Sequence, residues 1–497
     1  MRILVTGGSG VVGEPVVTEL VRRGHQVRLV SRHATRDAGQ WPEGVEPLDV
    51  DIGDGGAVWK MADGCDAVLH VAAIERESPP DVTFERVNVG GTRNVVAEAA
   101  RAGVKRLVYV SSLGADTGET DYHRSKLEGE RIVQGFAGDW TICRVANVYG
   151  PGDQVVSLLL QWVRSLPAVP VIDGGDQPFQ PVWAGDAASA LAACVERDDL
   201  GGRVLLLAGD ERTSMNDLIE RLGRITGRDP VRVPVPHFIA SFGLRAAEAV
   251  GMELPMDAAQ VTMLREGSVI EREGDNALVS VLGVKPTALD EGLRRLAYDQ
   301  PEQLPEEGVG DLERKRFWVD IEGSRLDAPA LLEHVRARFA EVTPWMMDLE
   351  TPEGTPNGLD EGETLTMELP LRGRIQVRVV EVRPDRITMV TLRGHPLAGV
   401  VRLCSEPRDG RVRFEVQVYD RSGNIADWLA MHPIGGQVQT ATWRDLLDNV
   451  VEASGGRAAG EIESDEGVLE EDEAERVERW VRELVQRHKR EKRNGGQ

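Results

Sequence analysis

Eight residues near the start, Thr6-Gly-Gly-Ser-Gly-Val-Val-Gly13, constrain this chain more than any other feature. They follow an apolar run, Arg2–Thr6, that reads as a strand, and lead into Gly13–Arg23, whose apolar spacing is helical. Glycine at position 7 permits a tight turn, at 10 it lets backbone approach a pyrophosphate, and at 13 it lets helix pack closely on strand. The helix start then turns unpaired N–H groups and the positive end of its dipole toward phosphates. A strand before and a helix after are what separate such a cradle from an incidental Gly-rich turn.

The next 290 residues keep that alternation. Gln26–Ser31, Asp66–Ala73 and Arg106–Ser112 read as further strands, and Asn88–Ala102 as a helix between the last two. Strands alternating with helices predict a parallel sheet covered on both faces, a doubly wound Rossmann-type α/β domain over residues 1–299. The end of the second strand bears on which dinucleotide is held. An NAD site usually places Asp or Glu there, whereas an NADP site removes the acid and supplies Arg. Here the strand ends in Ser31-Arg32 with Arg36 nearby, so NADP(H) is favoured and NAD(H) is left open.

Tyr122-His-Arg-Ser-Lys126 follows Ser111-Ser112 by ten residues. Five Tyr and seven Lys in 497 positions would give about 0.07 such pairs by chance. On a helix, positions i and i+4 share a face, so the ammonium would lie beside the phenol. A neighbouring cation is expected to lower the Tyr122 pKa from about 10 toward working pH. The phenol could then exchange a proton with a substrate oxygen, with Ser112 hydrogen-bonded to that oxygen.

The first 300 residues resemble extended, atypical short-chain dehydrogenases/reductases. The resemblance rests on the Thr6–Gly13 loop, Asp51, His70-Val-Ala-Ala73, Asn88-Val-Gly-Gly-Thr-Arg-Asn94, Val110-Ser-Ser112, Tyr122/Lys126 and Arg144-Val-Ala-Asn-Val-Tyr-Gly-Pro-Gly-Asp153. It implies an NAD(P)H-dependent oxidoreductase acting on a small-molecule carbonyl or alcohol. It further implies catalytic roles for Tyr122, Lys126 and Ser112, with Asn88 supporting the proton relay and Lys126 also holding the nicotinamide ribose. The implied cofactor contacts are Gly7, Ser9, Gly10, Val11, Val12, Gly13, Ser31, Arg32, Arg36, Asp51 (to adenine), Ala72, Ala73 and Val145. Pro234–Leu296 is similar to the branch related to the nucleotide-binding accessory subunit of respiratory complex I, some of whose members bind NADPH without evident turnover. A scaffold or sensor is therefore the rival reading. The short Ser112–Tyr122 gap and Trp183-Ala-Gly-Asp186 depart from the sugar-modifying members and argue against a nucleotide-sugar substrate.

Past residue 300 the pattern changes. Gln300-Pro-Glu-Gln-Leu-Pro-Glu-Glu-Gly-Val-Gly310 reads as a linker, with 300–312 as its bounds. Residues 313–455 read as α+β: a short strand Phe317–Ile321, a helix Pro329–Ala340, and an acidic loop Glu341–Glu363. Four strand-like runs follow (Arg374–Arg383, Arg386–Arg393, Val400–Ser405, Arg411–Tyr419), then a helix Gln437–Ala453. That order, with Arg393–Gly399 and Phe414–Tyr419, is similar to START-like (SRPBCC) helix-grip modules. The resemblance implies an apolar cavity that Trp345, Met346, Met347, Trp428 and Trp443 would line or simply fill. The tail, 456–497, puts ten acids in Glu461–Glu478 and seven bases in Arg479–Arg493. Such order complements a helix dipole, and Val477, Trp480, Val481, Leu484 and Val485 form a stripe suited to docking on the protein itself.

The net charge of −24 argues against nucleic acid or an anionic membrane as the main partner. Four widely spaced Cys without a CxxC pair argue against a disulfide framework, and no metal site is expected. With no signal-like start and no run of 18 apolar residues, the expectation is a cytoplasmic protein without a membrane span. The bias of seven Lys against 51 Arg fits a GC-rich bacterial gene. The expected partner is a small-molecule substrate, with an apolar one and self-association both left open.

Overall fold

The computed structural model describes residues 1–236, 269–344, 348–350, 358–369, 373–423 and 435–495, and the chain divides into two units, Met1–Tyr298 and Asp299–Gly496. In the first unit the elements run β1 (Arg2–Thr6), α1 (Gly13–Arg22), β2 (Gln26–Ser31), β3 (Val45–Asp49), β4 (Ala67–His70), α2 (Gly91–Arg101), β5 (Arg106–Ser112), α3 (Asp121–Gln134) and β6 (Asp139–Val145). Then come β7 (Val148–Tyr149), α4 (Val156–Ser165), β8 (Ala168–Ile172), β9 (Val182–Trp183), α5 (Ala184–Glu196), β10 (Arg203–Leu207), α6 (Met215–Thr226) and β11 (Val231–Val235), with α7 (Ala277–Ser280) and α8 (Leu289–Tyr298) closing the unit.

Seven parallel strands form one sheet in the order β10-β6-β5-β4-β1-β2-β3. Strand alternation sends Ile3 and Val5 to one face, where Val16, Val17 and Leu20 of α1 and Leu191 and Val195 of α5 pack. Leu4 points to the other face, against Val95 and Ala99 of α2 and Val133 of α3. Both faces are covered, so the strands are apolar throughout. The strand order reverses between β1 and β4, whose last residues, Thr6 and His70, are register partners. Ligands of such sheets bind outside the strand ends at this reversal.

The second unit contains β12 (Val309–Glu322), α9 (Ala328–Ala337), α10 (Phe339–Val342), β13 (Asp348–Glu350), β14 (Thr364–Leu369), β15 (Gly373–Arg383), β16 (Arg386–Thr391), β17 (Leu397–Arg408), β18 (Arg411–Ser422), α11 (Gly435–Ser454), β19 (Arg457–Ala458), β20 (Glu463–Val468) and α12 (Glu471–Gly495). Its antiparallel sheet runs β13-β14-β15-β16-β17-β18-β12, with β19 and β20 both on β12. Phe317, Val319, Phe414 and Val416 on one face pack with Leu331 and Val335 of α9 and with Trp443, Leu446 and Val450 of α11. Val380, Val390 and Val400 lie on the opposite face, under Val481, Leu484 and Val485 of α12.

Three expectations change here. Gln300–Gly310 is not a solvated linker. Gln303 N–H donates to the Thr391 carbonyl (2.7 Å), Arg393 N–H donates to the Pro301 carbonyl (2.9 Å), and β12 already begins at Val309. Glu302 is buried against Arg378 (2.7 Å) and Lys489 (3.1 Å), which fixes a segment whose composition alone suggests a loop. The acidic half of the tail is not all helix, since Glu463–Val468 extends the sheet beside Glu313–Trp318. Within the acidic Glu341–Glu363 stretch, Asp348–Glu350 pairs with β14. Trp345, Met346, Met347 and Trp428 lie outside the described residues. All four Cys are free thiols, although the Cys143 and Cys194 sulfurs approach to 3.6 Å. Among the described residues no helix is long and apolar enough to cross a membrane, and no group of His, Cys, Asp and Glu is placed to hold a metal ion.

Candidate functional site

At the end of β1 the chain turns through Gly7 at φ +73°, a conformation L side chains rarely adopt. A Cβ there would stand 2.6 Å from the Ala72 backbone, so the loop and the segment after β4 touch main chain to main chain. At Gly13 a Cβ would overlap the Gly7 carbonyl oxygen, which is why α1 can start only on glycine. Gly10 differs, because its Cβ would meet nothing nearer than 3.7 Å, and Ser9 and Gly10 are exposed. Val12, at the N-cap of α1, has no side-chain acceptor for the first N–H groups. An open backbone at Gly10 above an uncapped helix start fits a dinucleotide pyrophosphate. Val11 and Val12 are half-buried beside it, and a Cβ added at Gly152 would stand 3.9 Å from Val11 Cγ2.

Ser31 ends β2, and Arg32 and Arg36 beyond it are exposed. The neighbouring acid, Asp49, accepts from Thr35 N–H (2.8 Å) and from the Thr35 hydroxyl. Asp51 accepts from Gly53 N–H (2.9 Å) and from Arg86 (2.6 Å), so its carboxylate is oriented by protein groups on both oxygens. Ala72 is half-buried and Ala73 exposed beyond β4, while Val145 is buried at the end of β6, its carbonyl accepting from Leu113 N–H (3.0 Å).

Tyr122 and Lys126 lie one turn apart on α3, whose N-cap Thr120 accepts from His123 N–H. Ser112, at the end of β5, is close enough to the Tyr122 phenol to favour its ionised form. Two expectations are corrected. The Lys126 ammonium is buried, donates to the Val110 carbonyl (2.7 Å) and stands 4.6 Å over the Tyr109 ring, rather than serving the phenol. The Tyr122 pKa accordingly moves up, not down: burial dominates, the Glu75 carboxylate and Tyr109 add to it, and Ser112 only partly opposes. Burial likewise pushes Lys126 down to about 8, against the pull of Glu75 and Glu130.

Asn88 is buried in a π-helical turn, Glu85–Gly90, that runs into α2. Its amide holds Ile74 at both backbone groups, accepting from the N–H (2.8 Å) and donating to the carbonyl (3.0 Å). It also donates to Ser125 (2.9 Å), whose hydroxyl donates to the Tyr122 carbonyl (2.7 Å). Ser111 donates to Glu130 (2.6 Å), and Glu130 is paired with Arg144 (2.8 Å) beneath α3. Thus Ser112, Tyr122, Lys126 and Asn88 are gathered around the ends of β4 and β5, and the Gly-rich loop lies at the neighbouring end of β1. Sequence reading passed over Glu75, Tyr109 and Glu130, which reach this place from three different elements. The His70-Val-Ala-Ala73 motif did flag one of the residues involved, without its partners.

A seven-stranded parallel sheet with a glycine cradle at its reversal point defines a dinucleotide-binding fold. Residues 3–208 match the NAD dependent epimerase/dehydratase family, and the chain belongs to that family through its first unit. It is 30% identical over 254 residues to a 2-alkyl-3-oxoalkanoate reductase of Stenotrophomonas maltophilia, covering 45% of this chain and 74% of that protein. It is 28% identical over 245 residues to a ceramide reductase of Caulobacter vibrioides, covering 49% and 76%. A solved structure of MoeE5 in complex with UDP-glucose and NAD is 24% identical, covering 60% of this chain and 97% of that one, with a TM-score of 0.47. Against other curated relatives the chain spans only about half, or a quarter, of their length.

Proposed function

We propose that this protein is an NADP(H)-preferring oxidoreductase that reduces the carbonyl of a small molecule, with Tyr122 as the proton donor. The observation that carries this reading is the gathering of Ser112, Tyr122 and Lys126 at the strand ends, with Lys126 one helical turn on from Tyr122. The two relatives named as reductases support the reaction class. Gly7, Ser9, Gly10, Val11, Val12 and Gly13 would hold the pyrophosphate. Arg32 and Arg36 would face a 2′-phosphate, since Asp49 is engaged by Thr35 and leaves no free acid at Ser31. When bound, the reduced dinucleotide supplies hydride for the carbonyl carbon.

The chain's own residues supply the proton. A phenol held well above its ordinary pKa is protonated at neutral pH, so Tyr122 enters as an acid, which suits reduction rather than oxidation. Its hydroxyl proton passes to the carbonyl oxygen, leaving an alcohol and a phenolate that solvent reprotonates. Ser112 hydrogen-bonds the same oxygen.

In the second unit, β12 lies beside the last long strand, two helices precede β13, and α11 covers the apolar face. That order supports the helix-grip reading of residues 313–455.

The test is a dinucleotide titration paired with a carbonyl screen. Tyr122→Phe should lower turnover by about 10²–10⁴ while leaving NADPH affinity nearly unchanged. Full activity in Tyr122→Phe would remove the proposed donor. NADPH binding without any turnover would favour the scaffold reading instead.

A further inference from the structure

His70, the last residue of β4 beside the reversal of strand order, is buried without a charged partner, and both its ring nitrogens are used. On one side, Nδ1 lies 2.7 Å from the Thr6 hydroxyl, which accepts from Ala72 N–H at 3.3 Å. On the other, Nε2 lies 3.0 Å from the Thr92 hydroxyl, which donates to the Asn88 carbonyl at 2.5 Å. Thr92 has spent its only proton on that carbonyl, so the proton between His70 and Thr92 must sit on Nε2. A neutral ring then presents a bare Nδ1, and the Thr6 hydroxyl must donate to it. All donors in the chain therefore point one way, from Ala72 through Thr6 to His70, and from His70 through Thr92 to Asn88.

The two ends of this chain are the two halves of the site. Thr6 and Ala72 flank the close approach at Gly7. Asn88 clamps Ile74 and, through Ser125, the first turn of α3 where Tyr122 stands. Burial, together with the nearby Lys126 ammonium, holds His70 neutral down to about pH 3, so the direction of the chain does not change over ordinary pH. The Tyr109 ring, 5.4 Å away, closes the remaining side.

We infer that His70 is a positioning residue: its neutral Nε2–H form joins the dinucleotide cradle to the helix carrying Tyr122, so that loop and proton donor keep one geometry. The inference rests on the oxidoreductase reading for its binding arm, and on the fold alone for its spectroscopic arm.

Nitrogen-15 spectra of histidine-labelled full-length protein should show one ring with a protonated Nε2 and an unprotonated Nδ1, unchanged from pH 5 to 8 and absent from His70→Gln. A His70 signal that titrates in that range, or carries its proton on Nδ1, overturns the inference. His70→Leu should weaken NADPH binding by about tenfold, the order expected for two lost buried hydrogen bonds. His70→Gln can accept with its carbonyl and donate with its amide, and should recover most of that loss. Equal NADPH binding by wild type and His70→Leu overturns the inference, as does a failure of His70→Gln to rescue a folded protein. Should wild type bind no dinucleotide, the oxidoreductase reading falls, and the spectra still decide the tautomer and so the chain.

Discussion

The two units differ in how they meet several of their buried polar side chains, although the first also has buried ion pairs such as Glu130 with Arg144. In the first, His70, Asn88 and Lys126 lie at the strand ends and are met by hydroxyls, a backbone carbonyl and a ring face, not by direct ion pairs. In the second, buried charges are matched with opposite charges: Glu302 with Arg378 and Lys489, Lys315 with Asp420, and Glu381 with Arg386. A buried charge is costly unless paired, so matched pairs are what a unit built to hold its shape would carry. Groups left with neutral partners have displaced pKa values, and such displacement clusters where protons are moved. The contrast assigns chemistry to the first unit and restraint of the chain to these pairs of the second.

The comparison breaks most visibly at Glu302. Glu302→Ala leaves Arg378 buried without its closest carboxylate and should cost about 3–5 kcal/mol in denaturant unfolding of the second unit. A loss below about 1 kcal/mol would show that the pair restrains nothing.

Acid and base should separate the units next. Burial raises the Glu302 carboxyl, but Lys489 and Arg378 outweigh it and hold it at about 2. A carboxyl depressed on folding stabilises above its unfolded pKa, so about 3 kcal/mol should disappear as pH falls from about 4.5 to 2. Lys126 gives a slope of the same sign in a different window. Its unfolded form binds the proton more tightly, so stability should rise by up to about 3 kcal/mol between pH 8 and 10.5. Tyr122 begins to oppose this only above pH 10, where the unfolded phenol ionises first. Unfolding free energies of wild type, Glu302→Gln and Lys126→Met across pH would show each slope vanish in its own variant.

A smaller effect tests the cradle. Gly13→Ala pushes a methyl into the Gly7 carbonyl, and should cost about 1–3 kcal/mol of stability together with dinucleotide affinity. Gly10→Ala has room in the structure, and should lose affinity while keeping its melting temperature. The smallest expected change is at Arg32, where exposure limits any single contact. Arg32→Ala should weaken NADPH roughly three- to tenfold and leave NADH unchanged in parallel titrations. An equal effect on both would remove the 2′-phosphate assignment.

What could be read from the residues alone follows the same division. The Thr6–Gly13 loop and the i, i+4 spacing of Tyr122 and Lys126 are local patterns, and local patterns place elements. The strands from Arg374 to Tyr419 and the apolar stripe of α12 were legible for that reason too. The direction of the Tyr122 shift was not, because it depends on Glu75, Tyr109 and Ser112, which arrive from the segment after β4 and from β5. Gln300–Gly310 was misread for the same cause. Its Pro and Glu content says loop, but Arg378 and Lys489, far along the chain, hold it down. Glu463–Val468 carries the acids of an exposed helix, and only the open edge of β12 makes it a strand.

The pairing of α12 with the start of its own unit also sets an order in time. Lys492 meets Asp299 across 193 residues, and Arg482 meets Glu306 across 176. At a ribosome adding about 5–20 residues per second, the early partner waits on the order of ten to forty seconds for the late one. During that interval the first unit, which ends at Tyr298, has all the strands of its parallel sheet, whereas Val380, Val390 and Val400 of the second unit still face water. A nascent chain of this protein therefore carries an uncovered apolar sheet face until α12 emerges to cover it.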